Sequence, residues 1–195
     1  MTVQVVSYIL AAKEETEKFK RQLVLQCAPL LKGVKRANAL LTEAGNVKEL
    51  PKILEGTAIS YRILGKEEGK CFVLLYRSSE LERYLNEQDV LEFLKDFGYE
   101  RGSLERMLDG LSRKIQRHRI RGGAFPHELG VFLDYPLSDV KGFIKSRGRN
   151  EALSGYWKVY DDPKKAGFLF RMYDWAKVSA VNEWLMGKSV GEIAR

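Results

Sequence analysis

Histidine and cysteine are nearly absent from this chain, with two of each in 195 residues. The cysteines, Cys27 and Cys71, form no CxxC, and neither stands at zinc spacing from His118 or His127. A zinc site built from protein ligands needs four such groups, usually in close pairs, so no metal site is expected. Two isolated thiols in apolar surroundings read as reduced and buried in a cytoplasmic protein, not as a disulfide framework. No apolar run approaches the length of a membrane span, so no membrane partner is expected. Met1 to Leu10 lacks a basic start and a small-residue cleavage site, which removes the expectation of a secretory signal. GxxxxGK[ST] and GxGxxG are also missing. That lowers the case for a phosphate-cradling or dinucleotide-binding enzyme, and no cofactor is expected. Internal repeats and low-complexity linkers are lacking too.

What remains is an ordinary globular composition, 45% hydrophobic and 30% charged, in a chain long enough to bury a full core unaided. A single α/β domain over 1–195 is the expectation, with 176–195 as a candidate C-terminal helical extension. The net charge of +7 is unevenly placed. Residues 101–150 hold eleven Lys/Arg against five Asp/Glu, and the densest part is Arg113, Lys114, Arg117, Arg119 and Arg121. Such a surplus steers an anionic partner, although charge runs are most often solvated helix faces.

Residues 7–32 read as a helix rich in Ala, Glu, Lys and Leu, broken near Gln26–Ala28 by Pro29. Strands are predicted near 37–41, 58–64, 71–76 and 155–160, the middle two forming an antiparallel hairpin across the Gly65–Gly69 turn. A short helix is predicted over Val47–Leu54. Ser79 and Glu82 fit a capping box, and so do Ser189 and Glu192. Gln88–Phe97 is amphipathic and stops at Gly98. Ser103 caps a helix whose apolar stripe is Leu104, Met107, Leu108, Leu111, Ile115 and His118, with Arg106, Arg113 and Arg117 opposite. Asp162-Pro163 starts a long helix running to about Trp184. The fold class is α+β, a small and mainly antiparallel sheet covered by helices.

Residues 126–146 read as a helix-turn-helix-like pair. Gly130 sits where the helices approach, between Leu129 and Leu133. Val140 and Phe143 point inward from the second helix, and Gly148 closes it. Leu137, Ser138, Lys141, Gly142 and Lys145 face outward, with Ser138 as the N-cap. No Arg, Asn or Gln occupies that outward face, so nucleic acid would be met through its backbone, by Lys141 and Lys145. Next to the pair, His127 and Glu128 form a candidate acid/base couple. Glu128 is equally explained as a carboxylate at a helix start, and His127 as a hydrogen-bonded structural residue. Tyr156, flanked by Trp157 and Lys158, could stack a flat ligand or simply alternate in a half-buried strand.

Several blocks resemble one bacterial family. They are Cys27-Ala28-Pro29 with Gly33-Val34-Lys35, Phe125-Pro126-His127-Glu128-Leu129-Gly130, Tyr135-Pro136-Leu137 with Asp139-Val140 and Gly142-Phe143-Ile144, and Gly155-Tyr156-Trp157-Lys158-Val159-Tyr160. Spanning roughly residues 20–175, the chain resembles domain-of-unknown-function family 3793, found mostly in anaerobic Gram-positive bacteria. Asp134 stands where the family tends to have Gly, and Ser154 where it often has Cys. The second departure argues against a cysteine-based metal or redox role. The resemblance implies a fold and a cellular setting but no activity.

The expected function is therefore non-enzymatic: an intracellular binding or regulatory module. Arg113, Lys114, Arg117, Arg119, Arg121, Lys141 and Lys145, with Tyr156, would meet nucleic acid or another anionic partner. The alternative is a small-ligand protein or enzyme using His127 and Glu128. A concave pocket separates the second reading from the first.

Overall fold

The computed structural model describes residues 14–194. The chain divides into two compact units, one of the residues up to Tyr76 and from Met172 onward, the other of Arg77–Arg171.

In the first unit, helix α1 (Glu15–Gln26) buries Phe19, Leu23 and Val24 on one face. It ends at Cys27, and a separate turn of helix, α2 (Ala28–Leu31), carries Pro29 at its start. There the missing N–H costs nothing, because the first helical donors have no intrahelical partner. The break predicted near Gln26–Ala28 is thus present, and residues 7–13 lie outside the described residues. Strand β1 (Ala37–Glu43), a 3-10 turn (Asn46–Glu49), α3 (Leu50–Ile53), β2 (Ile59–Glu67) and β3 (Lys70–Arg77) follow. The sheet order is β1-β3-β2. β1 runs antiparallel to β3 from Ala37 opposite Tyr76 to Glu43 opposite Lys70.

The central place of β3 explains why its apolar run is nearly unbroken. Successive strand residues point to opposite faces. Val73, Leu74 and Leu75 are all fully buried, so both faces are covered. The hairpin turn is tighter than the sequence suggested, since β2 extends to Glu67. Glu68 and Gly69, at φ +46° and +78°, make a two-residue turn with both central residues left-handed, which matches the strand twist.

The strand predicted at 155–160 does not join this sheet. Leu153–Ser154 (β4) and Lys158–Val159 (β5) form their own antiparallel pair in the second unit. Two residues per strand are too few to extend a sheet, and Gly155–Trp157 form the bend between them.

The C-terminal residues pack into the first unit's core. Ala180 and Val181 of the long helix, with Val190, Ile193 and Ala194, share one cluster with Phe19, Leu23, Leu40 and Val73. The capping box at Ser189 is present: its hydroxyl accepts from the Glu192 N–H at 3.3 Å, and Glu192 accepts from the Ser189 N–H at 2.8 Å.

The second unit holds α4 (Ser78–Leu85), α5 (Gln88–Lys95), α6 (Leu104–Arg121), α7 (Leu129–Phe132), α8 (Leu137–Ser146), the β4–β5 ribbon and the start of α9 (Pro163–Leu185). The capping box predicted at Ser79 is absent. Arg77 takes the N-cap position with no side-chain cap, and Glu82 accepts instead from the Leu104 N–H at 3.0 Å. Its carboxylate satisfies an orphan donor at the start of α6, where negative charge is favoured. Ser103 completes that start by accepting from the Arg106 N–H. The face of α6 that the spacing marked as apolar is the one it buries, from Leu104 to Ile115. No helix among the described residues is long and apolar enough to cross a membrane.

Candidate ligand cavity

The helix pair is held by turn chemistry at both ends. The chain enters through two tight turns, Leu129 N–H to the Pro126 carbonyl at 3.0 Å and Gly130 N–H to the His127 carbonyl at 3.1 Å. α7 is then only one turn long, shorter than the spacing predicted. It closes with two bonds, Asp134 N–H to the Val131 carbonyl and Tyr135 N–H to the Gly130 carbonyl, each 3.0 Å. That is the paired closure of a helix ending on a left-handed residue. Asp134 supplies it at φ +62°. Aspartate is one of the few side chains that adopt this conformation, which explains how it stands where Gly is usual. α8 begins after Pro136, without a side-chain cap. Ser138 lies within the helix, so its predicted capping role is corrected.

Three glycines let these segments approach. A Cβ on Gly130 would lie 2.8 Å from Val140 Cγ2, which places the closest contact of α7 and α8 there. A Cβ on Gly142 would strike Tyr160, and one on Gly155 would strike Phe170. Gly142 therefore packs against the strand end and is not a free outward position.

Asp139, in the first turn of α8, ties the ribbon to the helix pair. It is buried, and it accepts from Trp157 Nε1 and the Tyr160 N–H, each at 2.7 Å, and from the Asp161 N–H at 3.1 Å. Sequence reasoning gave it no role, because an acidic residue in a first helical turn is already explained by the helix dipole.

Around these contacts lies a cavity of about 250 Å³. Phe125, His127, Leu129, Gly130, Leu133, Tyr135, Asp139, Val140, Phe143, Tyr156, Trp157 and Lys158 line it. On the helix-pair side, Phe125, His127 and Phe143 form a row, with ring centroids 5.6 and 5.1 Å apart. Tyr135 stacks on Trp157 at 5.4 Å and 27°, and Phe170 meets Trp157 edge-on at 4.6 Å. Burial pushes the Tyr135 hydroxyl above its ordinary pKa, so it remains a neutral donor. A second cavity, about 480 Å³, shares Phe125 and His127 with the first.

Of the other predicted residues, Lys114, Arg117, His127 and Glu128 border the second cavity. His127 is exposed among aromatic rings, whereas Glu128 is buried. Glu128 accepts from Lys114 Nζ at 2.6 Å and from the Tyr99 hydroxyl at 3.4 Å. Burial first, and the Glu128 charge second, raise the Tyr99 pKa. Lys114 also donates to the Phe97 carbonyl at 2.5 Å and sits 4.4 Å from the centre of the Tyr99 ring. It is half-buried, and its charge is taken up by Glu128. Arg113, Arg117 and Arg121 are exposed, four residues apart and so on one side of α6, while Arg119 is half-buried. Lys145 is exposed, and so is Lys141, whose ammonium lies over the Phe93 ring at 5.7 Å. Tyr156 is half-buried beside Phe170.

Fold and site together define an α+β protein with an aromatic cavity between a short helix pair and a two-stranded ribbon. The chain belongs to the family of proteins of unknown function DUF3793, which matches residues 23–194. No curated protein and no solved structure matches it.

Proposed function

We propose that this protein is a small-ligand-binding module whose aromatic cavity takes a flat ring. One observation carries the reading. The Phe125–Gly130 block and the Gly155–Tyr160 block, both of which carry the family resemblance, line the same cavity together with α8. A cavity walled by rings and holding few polar groups favours planar apolar surface. About 250 Å³ falls just below the usual range for drug-sized ligands, so a one- or two-ring system is the natural size. The role is binding and not catalysis. Acid/base work needs two groups on one reacting atom; His127 and Glu128 both border the second cavity, but Glu128 is already engaged by Lys114 and Tyr99, and Asp139 by three donors. Buried, reduced Cys27 and Cys71 suit a cytoplasmic setting.

The test is ligand-observed NMR with indole, phenol and quinoline against the full chain. Saturable binding that Tyr156→Ala weakens and that Val140→Phe blocks is expected. No binding, or binding that both variants leave intact, refutes the reading.

A second reading is favoured by Arg113, Arg117 and Arg121, which lie exposed along one side of α6. They suit an anionic partner such as nucleic acid, met through phosphate with little sequence preference and a steep loss of affinity with salt. Fluorescence anisotropy with duplex and single-stranded probes at low salt checks this. Absence of binding at roughly tens of micromolar protein removes it.

A further inference from the structure

We infer that the ligand's ring carries an anionic group, a carboxylate or a phosphate, and that this group lies in the second cavity against Arg117. The inference rests on the aromatic-cavity reading above and names the ligand class. It follows from which charges in the two cavities are already engaged.

In the aromatic cavity both ionic groups are occupied. Asp139 accepts three N–H groups, and Lys158 donates to the Gly148 carbonyl at 2.8 Å and pairs with Glu151 at 3.1 Å. A ligand charge placed there would lose its water and gain no counter-ion, which is costly.

The second cavity differs. Its lining includes Lys114, Arg117, His118 and Glu128. Lys114 and Glu128 neutralise each other at 2.6 Å. His118 uses Nδ1 on the Gly123 carbonyl at 2.8 Å. Arg117 makes no ion pair among the described residues, so the lining carries one net positive charge from a guanidinium, a group suited to carboxylate and phosphate. The loop from Gly122 to Phe125 borders the same cavity. Its glycines hold φ +70° and +102°, and the N–H groups of Gly123, Ala124 and Phe125 donate to no acceptor among the described residues. Backbone donors of this kind add to an anion site.

Phe125 and His127 line both cavities. A ligand that passes these shared rings sets its ring among the aromatic walls and its acid group beyond Phe125.

Calorimetry on the full chain tests this with two matched pairs, indole propionate against its primary amide and adenosine monophosphate against adenosine. The acid of at least one pair should bind about tenfold tighter than its neutral partner, the value of a charge-assisted hydrogen bond. Arg117→Gln should bring that ratio close to one. The pair with the larger ratio tells carboxylate from phosphate. Neutral rings binding as tightly as the acids, or a ratio that survives Arg117→Gln, overturns the inference and leaves the aromatic cavity standing. No binding by any of the four overturns both.

Discussion

Replacing Gly130 by alanine isolates the contact on which the helix pair and its cavity depend. Two effects oppose each other. Gly130 has helical backbone and no positive φ, so helix propensity alone favours alanine by about 1 kcal/mol. Against this, the new Cβ would lie 2.8 Å from Val140 Cγ2, 3.4 Å from Tyr135 Cδ2 and 3.6 Å from Val140 Cγ1. Val140 is 5% exposed and β-branched, so it has one strongly preferred rotamer in a helix and turns away only at a cost. Overpacking of this kind costs about 1–3 kcal/mol and outweighs the propensity. The net expectation is about 1 kcal/mol of destabilisation, a fall in Tm of roughly 2–4 °C for a chain of this length. Gly130→Leu should sit at the upper end of the overpacking range. Urea and thermal denaturation followed by circular dichroism give the values, with Val140→Ala as the partner variant. Val140→Ala alone leaves a void, but it frees the space that the alanine at 130 needs. The double variant should therefore be more stable than the sum of the singles by about 1 kcal/mol. Gly130→Ala as stable as the parent, with strictly additive behaviour in the double variant, would refute the close contact.

Lys114→Met should destabilise by about 2–4 kcal/mol, because it strands a buried Glu128; adding Glu128→Leu should recover most of the loss, and a mild single variant would contradict the buried pair. The Glu183 carboxyl is held at about 2, below its ordinary 4.5, by hydrogen bonds first from Lys32 and then from Lys188. A depressed carboxylate contributes stability above its unfolded pKa and loses it as the pH falls through the folded one. Glu183→Gln should then be less stable than the parent at pH 7 by about 1–2 kcal/mol, allowing for solvent screening, and the gap should close towards pH 2; urea denaturation across that range checks it, and a constant gap rules out the ionic account. Burial leaves Cys27 fully covered and pushes its thiol up to about 12, and Cys71 is 1% exposed. Neither should react with a thiol-specific disulfide reagent until denaturant is added, so a rapid native reaction would contradict the packing.

Where structure follows from neighbouring residues, it was legible. Asp162 before Pro163 caps α9 as its chemistry requires, its carboxylate accepting from the Lys164 and Lys165 N–H groups at 3.0 and 2.9 Å. Ser103, the Ser189–Glu192 box, the stop at Gly98 and the hairpin turn are of the same kind, each fixed by a spacing of a few residues, and the Gly130 contact spans only ten. Glu82 shows the limit. Its spacing from Ser79 satisfies the capping-box rule, yet it serves Leu104, twenty-two residues on. A local motif records only that a donor lies within reach along the chain, and a second donor brought close in space competes on equal terms.

The sequence by itself determined the α+β class, most element positions, the reduced thiols and the two blocks that border the cavity. Only the tertiary structure decided which chemistry those blocks hold. It buried Glu128 against Lys114 and left His127 outside. It removed the lysine from the basic stretch, detached the 155–160 segment from the main sheet, and made Asp139 the anchor of the aromatic wall. The physical reason is common to all four. Burial and ion pairing depend on distance through space, and each of these partnerships joins residues that local periodicity treats as independent.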